Sequence, residues 1–124
     1  MKRLGWLVVT TFFLFSYSVL GQAKPPKKTS ELLSQGKKIY GQTCAPCHGT
    51  KGDGKGPAGA VLKPAPTDFT KPPKEWPATK GNPEKIFEVI TKGIPDSAMV
   101  PWTQYSEKER WGLTYYVMEF ARKK

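Results

Sequence analysis

The chain has 124 residues, room for one small domain, with 20 Lys and Arg against 10 Asp and Glu and a formal charge of +10. Two cysteines and a single histidine are too few for a structural zinc site of Cys and His alone, which takes four ligands. The basic excess suits acidic proteins or an anionic membrane surface as partners, and no nucleic-acid-binding motif accompanies it, so no nucleic acid is expected.

Met1-Lys2-Arg3 is a short basic start, and residues 4–20 are apolar with scattered Thr, Ser and Tyr. Gly21-Gln22-Ala23 then places small residues at the first and third positions. This is the layout of a secretory signal peptide over residues 1–23, cut after Ala23. The alternative is an uncleaved anchor, since the uncharged stretch 4–23 is just long enough to cross a bilayer as a helix. Pro25-Pro26 behind it break helices and favour cleavage. Export places the protein in the periplasm, membrane-anchored if the segment is retained. Without residues 1–23, 18 basic residues face 10 acidic ones, a charge of +8.

Residues 24–29 read as a flexible, basic, proline-containing leader ahead of one domain over 30–124. A first helix is predicted with Thr29 or Ser30 as its cap and Glu31 in its first turn. Leu32, Gly36 and Tyr40 recur every four residues, and the helix is expected to end near Gly41. It feeds into Cys44-Ala45-Pro46-Cys47-His48, which holds both cysteines and the only histidine. A C-x-x-C-H run is the attachment site of c-type haem. Two thiols add across the vinyl groups of one porphyrin, and the histidine that follows can bind the iron. Two other readings compete. A redox disulfide expects a βαβ pattern, which is not visible, and half a zinc site would have to recruit carboxylates. A mature segment of about 100 residues with few aliphatics would have a marginal core, so a buried porphyrin would be structural as well as functional.

Residues 49–78 are rich in Gly, Pro and Lys and show neither helical nor strand period. Gly52-Asp53-Gly54-Lys55-Gly56 lacks the Gly-Lys-Ser/Thr ending of a nucleotide loop and reads as turns around a cofactor edge. Asn82 and Pro83 open a second helix with Ile86, Val89 and Ile90 on its apolar face, stopping by Gly93 and Pro95. Ser106 and Glu109 form a capping box for the last helix. Leu113, Tyr116, Val117 and Phe120 make one stripe on it, and Trp111, Tyr115 and Met118 a second.

With one histidine in the chain, the second axial position of the iron falls to a methionine. Met1 lies in the signal, and Met118 sits at helical spacing among core aromatics. Met99 lies in a loop stiffened by Pro95 and Pro101, which suits a fixed thioether. The other reading of Met99 is a loop side chain filling an apolar gap.

In the order of its parts as well as in its motif, the stretch from about Ser30 to Ala121 resembles a class I, single-haem c-type cytochrome. The resemblance implies a small all-α fold, helices and long loops wrapped around one covalent haem c. Cys44 and Cys47 would be its thioether links, with His48 and Met99 as axial iron ligands. It also implies that the first helix packs on the last, with Gly36 and Tyr40 against Leu113 and Tyr116. The Pro57 carbonyl would accept the His48 proton, Ser97 and Trp76 would meet the haem propionates, and Trp102 would stand beside the methionine. Such a protein is expected to be a monomeric periplasmic electron carrier, not an enzyme, that meets redox partners with acidic docking surfaces. The alternatives are a haem subunit of a larger membrane oxidoreductase and a small catalytic or gas-sensing haem protein with an open sixth site.

Overall fold

The computed structural model describes residues 24–122. The signal segment expected at 1–23 lies outside them. Helix α1, Ser30–Ile39, begins where Thr29 accepts the Leu32 N–H on its hydroxyl at 3.2 Å. Glu31 in its first turn and Lys37 and Lys38 in its last complement the helix dipole. The chain does not stop near Gly41. It widens into a single π-helical turn, Tyr40–Cys44, closed by the Ala45 N–H on the Tyr40 carbonyl, and tightens into the four-residue helix α2, Ala45–His48. Such π-turns re-aim the residues that follow them, and here those residues are the cysteine motif.

Helix α3, Pro83–Lys92, has the expected Asn82 cap, whose side chain accepts the Lys85 N–H at 2.8 Å, and stops at Gly93. Helix α4, Glu107–Glu119, opens on the reciprocal pair of Ser106 and Glu109 and runs into a 3₁₀ turn, Phe120–Arg122. A second 3₁₀ turn covers Pro73–Glu75. The fold is all-α, with no strand among the described residues.

Helices α1 and α4 cross backbone to backbone. A Cβ on Gly36 would lie 2.1 Å from the Gly112 carbonyl oxygen, and one on Gly112 would lie 2.7 Å from that of Leu32. Tyr40 meets Tyr116 edge-on, ring centroids 5.3 Å apart. Gly36 thus faces Gly112 and the amide of Leu113, and it is a pair of glycines that sets the crossing. Gly112 belongs to no apolar stripe, because glycine has no side chain to contribute.

The crossing turns Leu113, Val117 and Phe120 toward a core shared with Ile39, Tyr40, Trp76, Ile86 and Ile90. On another side of α4, Trp111 stacks on Phe87 of α3 at 4.5 Å, with the Arg110 guanidinium 5.3 Å from the same ring. Both stripes of this helix are therefore covered. The Tyr115 hydroxyl donates to the Pro26 carbonyl at 2.6 Å, and Lys28 pairs with Glu119. Glu119 sits in the last turn, where the helix dipole disfavours an anion, so cations from Lys28 and Arg122 are stabilising there. Pro26 and Lys28 thus contact α4.

Gly112→Ala is expected to lower stability by about 1–3 kcal/mol through overpacking at the crossing. Urea unfolding of the haem-loaded protein would show an earlier midpoint at unchanged slope. An unchanged midpoint would mean that the helices can separate freely there.

Candidate haem site

The cysteine motif reaches one cavity because of its spacing. Positions i, i+3 and i+4 share a helix face, so Cys44, Cys47 and His48 all point the same way from α2. In this four-residue helix the Ala45 carbonyl accepts the Gly49 N–H at 2.8 Å, and the glycine-rich loop supplies partners for the remaining carbonyls. Ala58 N–H donates to the Pro46 carbonyl at 2.9 Å, Gly56 N–H to Cys47 at 3.1 Å, and Gly54 N–H to His48 at 2.8 Å. Only glycine permits this approach at position 56, where a Cβ would stand 2.3 Å from the Pro46 oxygen. The buried Tyr40 hydroxyl donates to the Gly49 carbonyl at 2.8 Å and holds the start of the loop. The run 52–56 is thus a cap for α2.

The cavity is partly open to solvent. Leu62, Ile86, Val89, Ile90, Leu113 and Val117 supply much of an apolar wall. Cys44, Cys47, His48, Ser97, Met99 and Trp102 all line it, whereas Pro57, Trp76 and Met118 do not.

His48 is set up as a neutral ligand. Burial pushes its pKa down, and the bond to the Thr67 carbonyl pulls the other way. Its Nδ1 lies 3.2 Å from that carbonyl, which can only accept, so Nδ1 carries the hydrogen and Nε2 keeps its lone pair. The ring stacks on Phe69 at 4.6 Å and 19°. Burial, with Cys47 close by, raises the Cys44 thiol to about 12. That is the reverse of the low value a redox C-x-x-C pair needs. Among the described residues no three His, Cys, Asp or Glu side chains gather as a site for a bare metal ion. The donors therefore fit haem: a neutral imidazole, a thioether and two thiols around an apolar space.

Met99 is held by its own loop. The Ile94 N–H donates to the Met99 carbonyl at 2.9 Å, the Ser97 hydroxyl donates to the Ile94 carbonyl at 2.8 Å, and the Met99 N–H donates to Ser97 Oγ at 3.1 Å. The Trp102 N–H donates to the Ile90 carbonyl at 3.0 Å and ties the end of the loop to α3.

A family model described as cytochrome C oxidase, cbb3-type, subunit III, matches residues 31–117. The chain belongs to this family of c-type cytochromes. Among solved structures, the cytochrome is similar to a chain of the Kuenenia stuttgartiensis reducing HAO-like protein complex Kustc0457/Kustc0458. The TM-score is 0.70 at 30% identity, covering 79% of this chain and 47% of that one, so this chain spans about half the length of its neighbour. No curated protein matches.

Three residues implied by the resemblance have other roles in this cytochrome. The carbonyl that His48 meets belongs to Thr67, not Pro57. Pro57 is exposed because the amides on either side of it are bonded to α2, and the imidazole faces the loop at 64–69 instead. Trp76, 1% exposed, donates its indole N–H to the Lys71 carbonyl at 3.1 Å and packs edge-on against Phe69. It anchors the loop. The Ser97 proton is held by Ile94, so Ser97 shapes the methionine loop. Thr67 and Phe69 were not legible as site residues, since one acts through its backbone and the other through a stacking contact.

Trp76→Phe keeps most of the ring volume and removes the N–H. It is expected to cost about 0.5–1.5 kcal/mol of stability and to leave the reduction potential unchanged. A shifted potential would put the indole at the cofactor after all.

Proposed function

We propose that this cytochrome transfers single electrons in the periplasm through one haem c, held by thioether links from Cys44 and Cys47 and ligated by His48 and Met99. The observation that carries this reading is the shared cavity, to which a neutral imidazole and a loop-held thioether come from separate segments. Bound haem supplies the one-electron Fe(III)/Fe(II) couple. Thr67 fixes the tautomer and orientation of His48, which sets the basicity of the imidazole. The hydrogen bonds of Ile94 and Ser97 hold Met99 in one geometry, so little rearrangement accompanies a change of charge. A thioether favours the reduced state relative to a second imidazole. The apolar walls exclude water, and the same pair of ligands leaves no position for oxygen or peroxide, so no enzymatic turnover is assigned.

The exit for the electron is the cavity mouth. Pro64, Ala65 and Ala98 line the cavity and are exposed, with Val61 and Val100 exposed beside the lining residues Leu62 and Met99. Lys51, Lys55, Lys63 and Lys92 are exposed on the same loops and on the end of α3, which suits an acidic docking surface. A soluble monomeric carrier fits this arrangement. The family description and the neighbouring complex favour a second reading, a haem subunit of a larger membrane oxidoreductase. The amino-terminal residue and the apparent mass of the native protein separate the two. A monomer beginning at Lys24 supports the carrier, and co-purification in a membrane complex supports the subunit. No helix among the described residues is long and apolar enough to cross a membrane.

Met99→Ala is expected to abolish the weak thioether-to-iron charge-transfer band of the oxidised protein. It should also lower the potential by at least about 60 mV, tenfold in a one-electron equilibrium. A low-spin spectrum unchanged by the substitution would remove Met99 from the iron.

A further inference from the structure

The cavity is built by two arms of the chain that are secured independently. One arm, residues 40–48, carries the cysteines and histidine and is tied to the glycine-rich loop. The other, residues 93–105, carries Met99 and is tied to α3 through the Trp102 N–H. Among the described residues no backbone hydrogen bond joins the two arms. A side-chain hydrogen bond does. Thr43 Oγ1 and the Tyr105 hydroxyl share it at 2.5 Å, across 62 residues of sequence.

Each end of this link is itself placed. Thr43 lines the cavity next to Cys44 in the π-helical turn. Tyr105 accepts Arg110 Nη1 on its carbonyl at 2.6 Å, and its ring lies 6.3 Å from that of Trp102, which lines the cavity with Met99. The chain of contacts therefore runs from the cysteine side, across the rim, to the methionine side. The π-turn aims Thr43 outward to meet the phenol. Both residues are half-buried, so water can satisfy either oxygen when the other is lost, and the fold does not depend on the pair.

We infer that the Thr43–Tyr105 hydrogen bond is a latch that keeps the Met99 arm closed on the iron. Tyr105 is then a positioning residue for the sixth ligand and sets how often that position opens. This rests on the reading above that Met99 is an iron ligand. Opening the latch lets the 93–105 arm move between its attachments to α3 and to Arg110 of α4, so foreign ligands gain access without loss of the covalent links.

The test uses the matured, haem-loaded protein with Tyr105→Phe, Thr43→Val and the double variant. The readout is the rate at which imidazole binds the oxidised protein, a step limited by departure of the native sixth ligand. Each single variant is expected to bind roughly 3- to 10-fold faster, the range a neutral hydrogen bond supports, with the charge-transfer band retained at neutral pH. The double variant should be no faster than either single one, because both remove the same bond. Unchanged rates in the single variants, or a double effect equal to their product, would overturn the latch. If the unmodified protein lacks the thioether band, the Met99 assignment itself fails and the latch with it. A band that is present alongside unchanged rates rejects the latch alone.

Discussion

The contact between the backbones of α1 and α4 at Gly36 and Gly112 is the constraint on which the rest of the molecule depends. With no Cβ on either side, the two helices approach until carbonyl meets amide. That approach decides which way α4 turns. Leu113 and Val117 then form a wall of the cavity, while Tyr116 closes on Tyr40 and Phe120. The same crossing places the end of α1 so that its continuation, the π-turn and α2, delivers the cysteine motif to that wall. A bulkier residue at either glycine would move the floor of the site and the ligand segment together.

The hydrophobic core of this small domain borders a cavity. The residues that would fill the centre of a larger protein, Ile86, Val89, Ile90, Leu113 and Val117, line a space instead. Aromatic rings make up part of the difference at its edge. His48 stacks on Phe69, Phe69 meets Trp76, and Phe120 meets Tyr40 and Tyr116. Porphyrin volume would complete this arrangement, so the haem would be structural as well as functional. The charge pattern lies outside this shell. Exposed lysines are spread over the loops, and Pro64, Ala65 and Ala98 are exposed at the mouth.

The loops are organised by unmet backbone groups. Helix α2 is too short to satisfy most of its own carbonyls, and the glycine-rich segment exists in its observed path to donate to them. Residues 93–102 fold on the Ser97 hydroxyl and the Ile94 backbone, which set the internal shape of that loop although it has no regular repeat. This accounts for how a chain with few regular elements can place its ligands. Within that loop the Ser97 hydroxyl donates to the Ile94 carbonyl.

Local chemistry made much of this protein legible in its sequence. Caps at Thr29, Asn82 and Ser106 mark helix starts because a side-chain oxygen must meet an amide two or three residues on, and no distant residue is needed. C-x-x-C-H is likewise a local geometry, three side chains on one face of a short helix. Met99 stood out because two prolines bracket it and no second histidine competes. What the sequence could not show depends on residues distant in the chain meeting through the backbone or through packing. Thr67 serves His48 with a carbonyl that every residue possesses, so nothing in its side chain announces it. Trp76 and Ser97 donate to the Lys71 and Ile94 carbonyls, and Pro57 lies exposed, because of how the loops close. Gly112 and the Thr43–Tyr105 bond are invisible to periodicity, one having no side chain and the other joining residues 62 apart. The sequence by itself determined the helices, the haem motif and the candidate ligands. Only the tertiary structure decided which carbonyl holds the histidine, how closely the helices cross and what closes the rim, because those follow from which groups remain unpaired when the chain folds.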